Sequence, residues 1–235
     1  MAYSMDGTRP VYIHQINKLR NARTGDLFQA MESDCLSLYK ELGLELFACW
    51  ESAPGQGIGP EMVEIWELPN FDAYTKFAAA AHAGKGDSRL RKWFERKSDW
   101  VESSDSMLCF SHPKSPTVAD LRKSGVKAKL VIHEMVHTEP SRQLDYLEAI
   151  HKMWWPVAEA GGRSLLGLFW SPWNNRRAIN IWGVSESWDD LSIMKLGKND
   201  AYQSDALFLW MNMGLALRDD WLDRFMVPAP FSTVN

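Results

Sequence analysis

Hydrophobic and polar positions along this chain follow two periods, which predict strands and helices in a recurring order. Segment 10–19, PVYIHQINKL, alternates with the period of two that is typical of a β-strand. Segment 24–43 instead places apolar residues three and four positions apart, as an amphipathic helix does, and ends at Gly43. The first half is therefore predicted to run strand, helix, strand, strand, two helices and strand.

The second half of the sequence predicts the same order of elements. First-half strands are predicted at 10–19, 44–52, 62–68 and 106–112, and helices at 24–43, 71–83 and 88–100. Second-half strands are predicted at 129–137, 164–172, 177–185 and 224–231, and helices at 140–162, 187–197 and 200–221. Pro156 predicts a kink in the helix 140–162, because proline lacks the N–H that a helix needs.

Matching residues occur in the same order in both halves. The pairs are Ile13-His14 with Ile132-His133, Trp50 with Trp170, Trp66 with Trp182, Phe71 with Trp188, and Asp99-Trp100 with Asp220-Trp221. A single match arises by chance, whereas an ordered series seldom does. Each half is therefore one unit of order β-α-β-β-α-β, the ferredoxin-like arrangement in which helices cover one face of an antiparallel sheet.

The uncovered sheet face of each unit has to be buried, and a second copy of the unit is its natural cover. We therefore predict an α+β fold in which tandem ferredoxin-like repeats form a pseudo-dimeric α+β barrel within one chain. The predicted domains are residues 1–112 and 128–235, joined by a linker at 113–127 that is rich in Pro, Ser and Lys. A homodimer of the whole chain is a further expectation, since sheet edges and helices remain exposed.

Three of these features also resemble a known family. The Ile-Trp strands, the aromatic-Asp helix starts at Phe71 and Trp188, and the Asp-Trp near each unit's end are similar to NIPSNAP-like proteins of the dimeric α+β barrel superfamily. The resemblance covers nearly the whole chain, and its motifs are structural. Since the superfamily contains lyases, isomerases, polyketide cyclases, cofactor-free oxygenases and haem enzymes, the resemblance implies the fold and leaves the chemistry open.

Composition and charge exclude several kinds of partner. The formal net charge of the 235 residues is -4, so neither a nucleic-acid surface nor an anionic membrane surface is expected. The N-terminus lacks the pattern of a secretory signal, and no apolar run approaches the ~20 residues of a spanning helix. Three widely spaced cysteines, Cys35, Cys49 and Cys109, are typical of reduced thiols in a cytoplasmic protein.

The segment HEMVH, His133 to His137, matches the H-E-x-x-H zinc signature of metalloproteases. That chemistry requires a helix, which brings both histidines to one metal. Here the segment is predicted to be a strand, on which the two histidines lie roughly 13 Å apart at ~3.3 Å per residue. One zinc ion cannot bind both, and no metal site is predicted.

Four residues are predicted to be catalytic: His14, His133, Glu64 and His137. Alternation places His14 on one face of the first strand, and His133 and His137 together on the matching face of the equivalent strand in the second half. We favour these histidine-bearing faces as the barrel interior, because helix-facing positions should be more uniformly aliphatic. Glu64 within reach of a histidine would be a general base with an orienting partner. The alternative is that the histidines are core or rim residues and that Glu64 points to solvent at a sheet edge.

The 12 tryptophans suggest either large cores or an aromatic-lined cavity. The residues expected to bind substrate are Tyr12, Trp66, Trp182, Asn180, Trp50 and Trp170. For any single tryptophan, core packing is the alternative. Arg176 and Arg177, at a predicted hairpin tip, would either clamp a carboxylate or be solvated loop charges.

Four hypotheses about function follow from these residues. The first is an enzyme without an organic cofactor that acts on a hydrophobic or aromatic small molecule by His/Glu acid–base chemistry, as a lyase, isomerase or cyclase. The second is a cofactor-free oxygenase of a phenol or quinol. The third is haem or metal binding through a histidine, and the fourth is a non-enzymatic module that binds a small molecule. Motifs for nucleotide phosphates are absent from the sequence.

Overall fold

The computed structural model describes residues 9–20, 23–82, 85–185 and 205–235. The strands are β1 (Val11–Leu19), β2 (Glu45–Ser52), β3 (Glu61–Leu68), β4 (Val101–Ser111), β5 (Leu130–Thr138), β6 (Arg163–Ser171), β7 (Asn174–Val184) and β8 (Arg218–Pro228). The helices are α1 (Thr24–Ala30), α2 (Leu36–Glu41), α3 (Phe71–Ala80), α4 (Ser88–Lys97), α5 (Val118–Ser124), α6 (Gln143–Ala149), α7 (Trp155–Ala160) and α8 (Asp205–Leu217). The predicted helix 187–197 and its Trp188 lie outside the described residues.

The described chain forms two compact units. Unit 1 contains the residues up to Leu108 together with Ala229–Thr233, and unit 2 contains Cys109–Pro228 together with Val234–Asn235. The segment predicted to be a linker, 113–127, contains α5, whose first turn is closed by a capping box between Thr117 and Asp120. No helix within the described ranges is long and apolar enough to cross a membrane.

In unit 1, β3 is the central strand of an antiparallel set, with β1 on one side and β2 on the other. Trp66 of β3 lies opposite Ile13 of β1 and Leu46 of β2. The side chain of Trp66 is 1% exposed and is 4.4 Å, ring centre to ring centre, from Tyr39 at the end of α2. A buried indole between two strands and a helix thus anchors the core of this unit.

Unit 2 has the same strand arrangement. Here β7 is flanked by β5 and β6, and Trp182 of β7 lies opposite Ile132 of β5 and Leu165 of β6. Strand β8 extends the sheet on the far side of β5. Because Trp66 and Trp182 occupy equivalent places in the two units, the predicted tandem repeat is confirmed.

Two irregularities also recur at the same places. The first helix of each unit contains a π-helical turn, Met31–Cys35 in unit 1 and Ile150–Trp154 in unit 2. The second strand of each unit has a register shift, between Leu46 and Ala48 and between Leu165 and Gly167. For both irregularities, the number of residues from the unit 1 position to its unit 2 counterpart is the same. Pro156, where the sequence predicts a kink, is the second residue of α7, which begins just after the second π-helical turn.

The structure corrects three details of the predicted repeat. Trp50 does not match Trp170, because Trp50 lies opposite Val63, whereas the corresponding position in unit 2, opposite Ile179, is Phe169. The predicted helix 200–221 ends at Leu217, and its last residues begin β8 instead. Consequently Asp220-Trp221 lie on a strand, whereas Asp99-Trp100 lie in the turn before β4, and these two pairs are not equivalent.

Candidate functional site

The helices of unit 1 cover one face of its sheet, the helix-facing side. Glu64 of β3 lies on this side, because its carboxylate pairs with Lys97 of α4. His14 of β1 lies opposite Ile65, the residue that follows Glu64. Since successive strand residues point to opposite faces, His14 lies on the face away from the helices.

The predicted pairing of Glu64 with a histidine is therefore wrong. Glu64 is 1% exposed and accepts hydrogen bonds from Asn17 Nδ2 and Trp66 Nε1, both at 3.0 Å, in addition to the Lys97 ion pair. Three donors, one of them the Lys97 ammonium, therefore satisfy this buried carboxylate. Nor does Glu64 point to solvent at a sheet edge.

The other predicted substrate-binding residues are divided between the two faces. Tyr12 and Trp50 share the face of His14, and the Trp50 indole N–H has no hydrogen-bond partner in the described part of the chain. Trp66 lies on the helix-facing side with Glu64. The predicted substrate-binding residues of unit 1 therefore do not share one face of its sheet.

In unit 2 the HEMVH segment lies on β5, as predicted, and not on a helix. His133 and His137 share the face away from the helices, where His133 lies directly opposite Arg224 of β8. Both His133 and Arg224 are buried, at 0% and 6% exposed. The catalytic roles of His14, His133 and His137 stay predictions.

The helix-facing side of unit 2 carries a cluster of titratable groups around Glu134 of β5. Tyr146 of α6 donates its hydroxyl to Glu134 Oε1 at 2.8 Å, and Arg218 Nη1 donates to the same oxygen at 3.0 Å. Asp223 of β8 lies directly opposite Glu134 in the sheet. We call these four residues, together with Asn180, the Glu134 cluster.

The hydrogen bonds of the cluster run in one direction. Trp182 Nε1 donates to Asn180 Oδ1 at 2.6 Å, and Asn180 Nδ2 donates to the Tyr146 hydroxyl at 3.1 Å. Because Tyr146 in turn donates to Glu134, every donor in this chain points toward the carboxylate. The predicted substrate-binding residues Asn180 and Trp182 thus belong to the support of Glu134, and Trp170 packs at the edge of the same core.

The surroundings hold the pKa of Glu134 above its ordinary value of 4.5, first because burial removes water from the carboxylate and then because Asp223 repels its charge. The side chain of Glu134 is only 12% exposed. The pKa of Asp223 is also raised, mainly through lost hydration. A raised pKa makes a carboxylate a stronger base than it is in water, which is what proton abstraction from a weak acid needs.

Aromatic rings surround the cation of the cluster. The Arg218 guanidinium lies 4.0 Å from the ring centre of Trp221 and 6.0 Å from that of Trp210. Trp210, on α8, is also 6.0 Å from the Tyr146 ring. A base, a cation and aromatic rings therefore lie together on the helix-facing side of unit 2.

Unit 1 has neutral residues at the two places that match Glu134 and Asp223. Gln15 of β1 lies opposite Glu64, as Glu134 lies opposite Asn180, so Gln15 corresponds to Glu134. Gln15 Nε2 donates to Ser106 Oγ of β4 at 3.2 Å, so Ser106 takes the place of Asp223. The two units thus share a frame and differ in acid–base capacity.

The sequence reasoning missed Glu134, Tyr146, Arg218 and Asp223. Glu134 lies within HEMVH, where the zinc signature is defined by the two histidines, and the helix predicted across Arg218 overlaps the start of the strand that carries Asp223. The one available signal was Gln15 aligned with Glu134, a neutral residue matched to an acidic one. Within the described ranges, no group of three or more His, Cys, Asp and Glu side chains is placed to hold a metal ion.

Comparison with known proteins finds solved structures of the same fold, but no matching family model and no matching curated protein. No protein-family model matches the sequence, and no curated protein matches it. A proposed monooxygenase from Fusobacterium nucleatum is 7% identical over 94% of this chain and 93% of that chain, with a TM-score of 0.60. An anthrone oxidase-like protein is 8% identical over 97% of this chain and 94% of that chain, also with a TM-score of 0.60.

Solved structures similar to this chain also include NIPSNAP-like proteins, as the sequence predicted. One from Burkholderia xenovorans is 12% identical over 47% of this chain and 91% of that chain, with a TM-score of 0.40. At such identities the likeness shows the fold alone. The predicted fold class, α+β with tandem ferredoxin-like repeats, is confirmed by the full-length matches.

Proposed function

We propose that this protein is a cofactor-independent oxygenase of an aromatic substrate that ionises to an aryloxide, such as an anthrone, and that the Glu134 cluster is its active site. The observation that carries the proposal is the raised pKa of Glu134 beside a guanidinium, in a layer rich in tryptophan. The fold shared with an anthrone oxidase-like protein and a proposed monooxygenase supports the choice of chemistry.

The reaction starts with a proton transfer to Glu134. Its carboxylate removes a proton from the ring carbon opposite the ketone of anthrone, and the released electron pair moves onto the ketone oxygen. Arg218 stabilises the aryloxide formed there. Proton uptake by Glu134 also relieves its repulsion with Asp223, which favours the transfer.

The aryloxide is electron-rich enough to react with O₂ without a cofactor. Carbon–oxygen bond formation gives a peroxide anion on the ring carbon, which takes the proton back from Glu134. The resulting hydroperoxide loses water and leaves a second ketone. One anthrone and one O₂ thus yield one anthraquinone and one water. The chain's own contribution is to hold the substrate, accept the proton and stabilise the anion.

The lyase, isomerase or cyclase hypothesis uses the same proton transfer and differs in its need for oxygen. If the protein instead binds haem or a metal, or only binds a small molecule, then replacement of Glu134 is not expected to change turnover. Oxygen consumption that depends on Glu134 therefore separates the proposal from all three.

The test compares neighbouring residues that point to opposite faces of β5. Oxygen uptake and anthraquinone formation are measured with anthrone below pH 7, after subtraction of the rate without protein. We expect Glu134→Gln to lower the rate by at least about 100-fold, within the range for loss of a general base. His133→Phe, on the other face, and Glu139→Gln, an exposed acid just beyond the strand, should retain the rate.

Two results would contradict this assignment. If His133→Phe abolished oxygen uptake while Glu134→Gln kept it, the reaction would lie on the face away from the helices, as first predicted from the sequence. Anthrone consumed at the full rate without oxygen, to a product with no added oxygen atom, would favour the lyase or isomerase class instead.

A further inference from the structure

Unit 1 contains a cleft of about 350 Å³ between its sheet and α3. Ile13, Gln15 and Ser106 belong to its sheet side, and Tyr74, Phe77 and Ala78 belong to its helix side. A volume of this size holds a small organic molecule. The cleft lies at the matching place to the Glu134 cluster, because Gln15 and Ser106 correspond to Glu134 and Asp223.

The polar groups of the cleft offer donors to a ligand. Gln15 Oε1 already accepts from Lys97 Nζ at 3.5 Å, and Gln15 Nε2 donates one proton to Ser106 Oγ at 3.2 Å. Ser106 is exposed, and neither its O–H nor the second Nε2 proton of Gln15 is taken by another described residue, so both can donate to a ligand. A ligand seated here would therefore be bound through an acceptor oxygen.

The remaining surface of the cleft is uncharged. Tyr74 and Phe77 provide aromatic rings, and Ile13 and Leu108 provide aliphatic contacts. Lys97, which donates to Gln15, is committed to the ion pair with Glu64. An uncharged aromatic lining with two free donors favours a neutral aromatic carbonyl compound over an anion.

We propose that the unit 1 cleft is a non-catalytic binding site for a neutral aryl ketone or quinone. Gln15 has the shape of glutamate but cannot accept a proton at neutral pH, so the cleft binds without abstracting a proton. Quinones are also the class of compound that the proposed reaction releases, and only this link to product rests on the proposed function.

The experiment is equilibrium dialysis of the full chain with 9-fluorenone, an unreactive aryl ketone, and with fluorene, which has the same rings and no carbonyl. Ala78→Phe places a ring in the cleft and blocks it. We therefore expect the variant protein to bind one equivalent of 9-fluorenone fewer than the wild-type protein. Ala79→Phe is the matched control, since Ala79 is exposed on the same helix but does not line the cleft. Its binding should equal that of wild type.

Ser106→Ala tests the hydrogen bond to the carbonyl. We expect the affinity of this site for 9-fluorenone to fall about tenfold, or about 1.4 kcal/mol, while that for fluorene is unchanged. If wild type and Ala78→Phe bind the same number of equivalents of 9-fluorenone, the cleft is not a binding site. An equal effect of Ser106→Ala on both ligands would overturn its preference for carbonyl compounds.

Oxygen uptake with anthrone, measured on the same variants, separates the two proposals. Ala78→Phe should keep the wild-type rate. If wild type consumes no oxygen but Ala78→Phe still loses one equivalent of 9-fluorenone, the proposed function fails and the binding site stands. If oxygen uptake is normal and the bound equivalents do not change, the binding site alone fails.

Discussion

Glu64 and Glu134 are both carboxylates on inner strands, and their neighbours give them different chemistry. Glu64 pairs with Lys97 and accepts hydrogen bonds from Asn17 and Trp66. Glu134 has a guanidinium and a phenol beside it, but also the carboxylate of Asp223 across the strand. One residue type therefore serves as a structural ion in unit 1 and as a candidate base in unit 2.

The raised pKa of Glu134 makes the stability of the protein depend on pH. The unfolded chain releases this proton near the ordinary value of 4.5, whereas the folded chain keeps it to higher pH. The contribution of Glu134 to the free energy of unfolding is therefore constant below 4.5 and falls as the pH rises through the raised pKa. Urea unfolding of wild type should show this fall in stability.

Glu134→Gln has no proton to release, so its stability should fall less over the same pH range. Glu139→Gln, at an exposed position, should follow wild type. Parallel curves for wild type and Glu134→Gln would mean that the carboxyl titrates at its ordinary pKa in the folded chain.

The face on which a side chain lies could be predicted only in part from the sequence. Alternation correctly separates His14 from Gln15 and His133 from Glu134. It does not say which side carries the helices, because both sides mix polar and apolar residues. The side was decided by contacts distant in sequence, such as Lys97 with Glu64 and Tyr146 with Glu134.

At the scale of elements, strands with strong alternation were predicted well and the boundary at Leu217 was not. β1, β3 and β5 have ends within a residue or two of their predicted limits. The helical pattern of 200–221 continues through Arg218 in sequence, but Arg218 pairs with Glu134 and the chain enters β8. Tertiary pairing overrides a local helical preference there.

Helix α5, within the segment predicted to be a linker, has the most complete cap of the helices described here. Thr117 accepts a hydrogen bond from the Asp120 backbone N–H, and the Asp120 carboxylate accepts from the Thr117 backbone N–H. We expect Thr117→Ala to lower the free energy of unfolding by about 1 kcal/mol. Urea unfolding measures this, with exposed Ser124→Ala, near the end of the helix, for comparison; an unchanged midpoint would mean that α5 does not contribute to the measured transition.

At the scale of the whole molecule, the chain returns to unit 1 at its C-terminal end. Ser232 Oγ accepts from the Cys49 backbone N–H, and Thr233 Oγ1 donates to the Leu46 carbonyl at 2.7 Å. Phe231 meets Phe28 edge to face, with ring centres 5.6 Å apart. Residues separated by most of the sequence thus complete the core of unit 1.

Removal of residues 229–235 should therefore destabilise unit 1. Loss of several hydrogen bonds at about 1 kcal/mol each, together with the aromatic contact, predicts a decrease of at least about 3 kcal/mol in the free energy of unfolding. Thr233→Val, which removes one side-chain hydrogen bond, should cost about 1 kcal/mol. A truncated chain as stable as wild type would show that the C-terminal segment is not part of the cooperative core.

The irregularities shared by the two units indicate a common origin. A π-helical turn and a strand bulge each insert one residue into a regular element, and independent insertions would seldom fall at equivalent positions twice. Met31–Cys35 with Ile150–Trp154, and the paired register shifts, are therefore inherited from one ancestral unit. The matching positions now carry different residues, Gln15 in unit 1 and Glu134 in unit 2. Two units within one chain can differ in this way, whereas the two identical copies of a homodimer cannot.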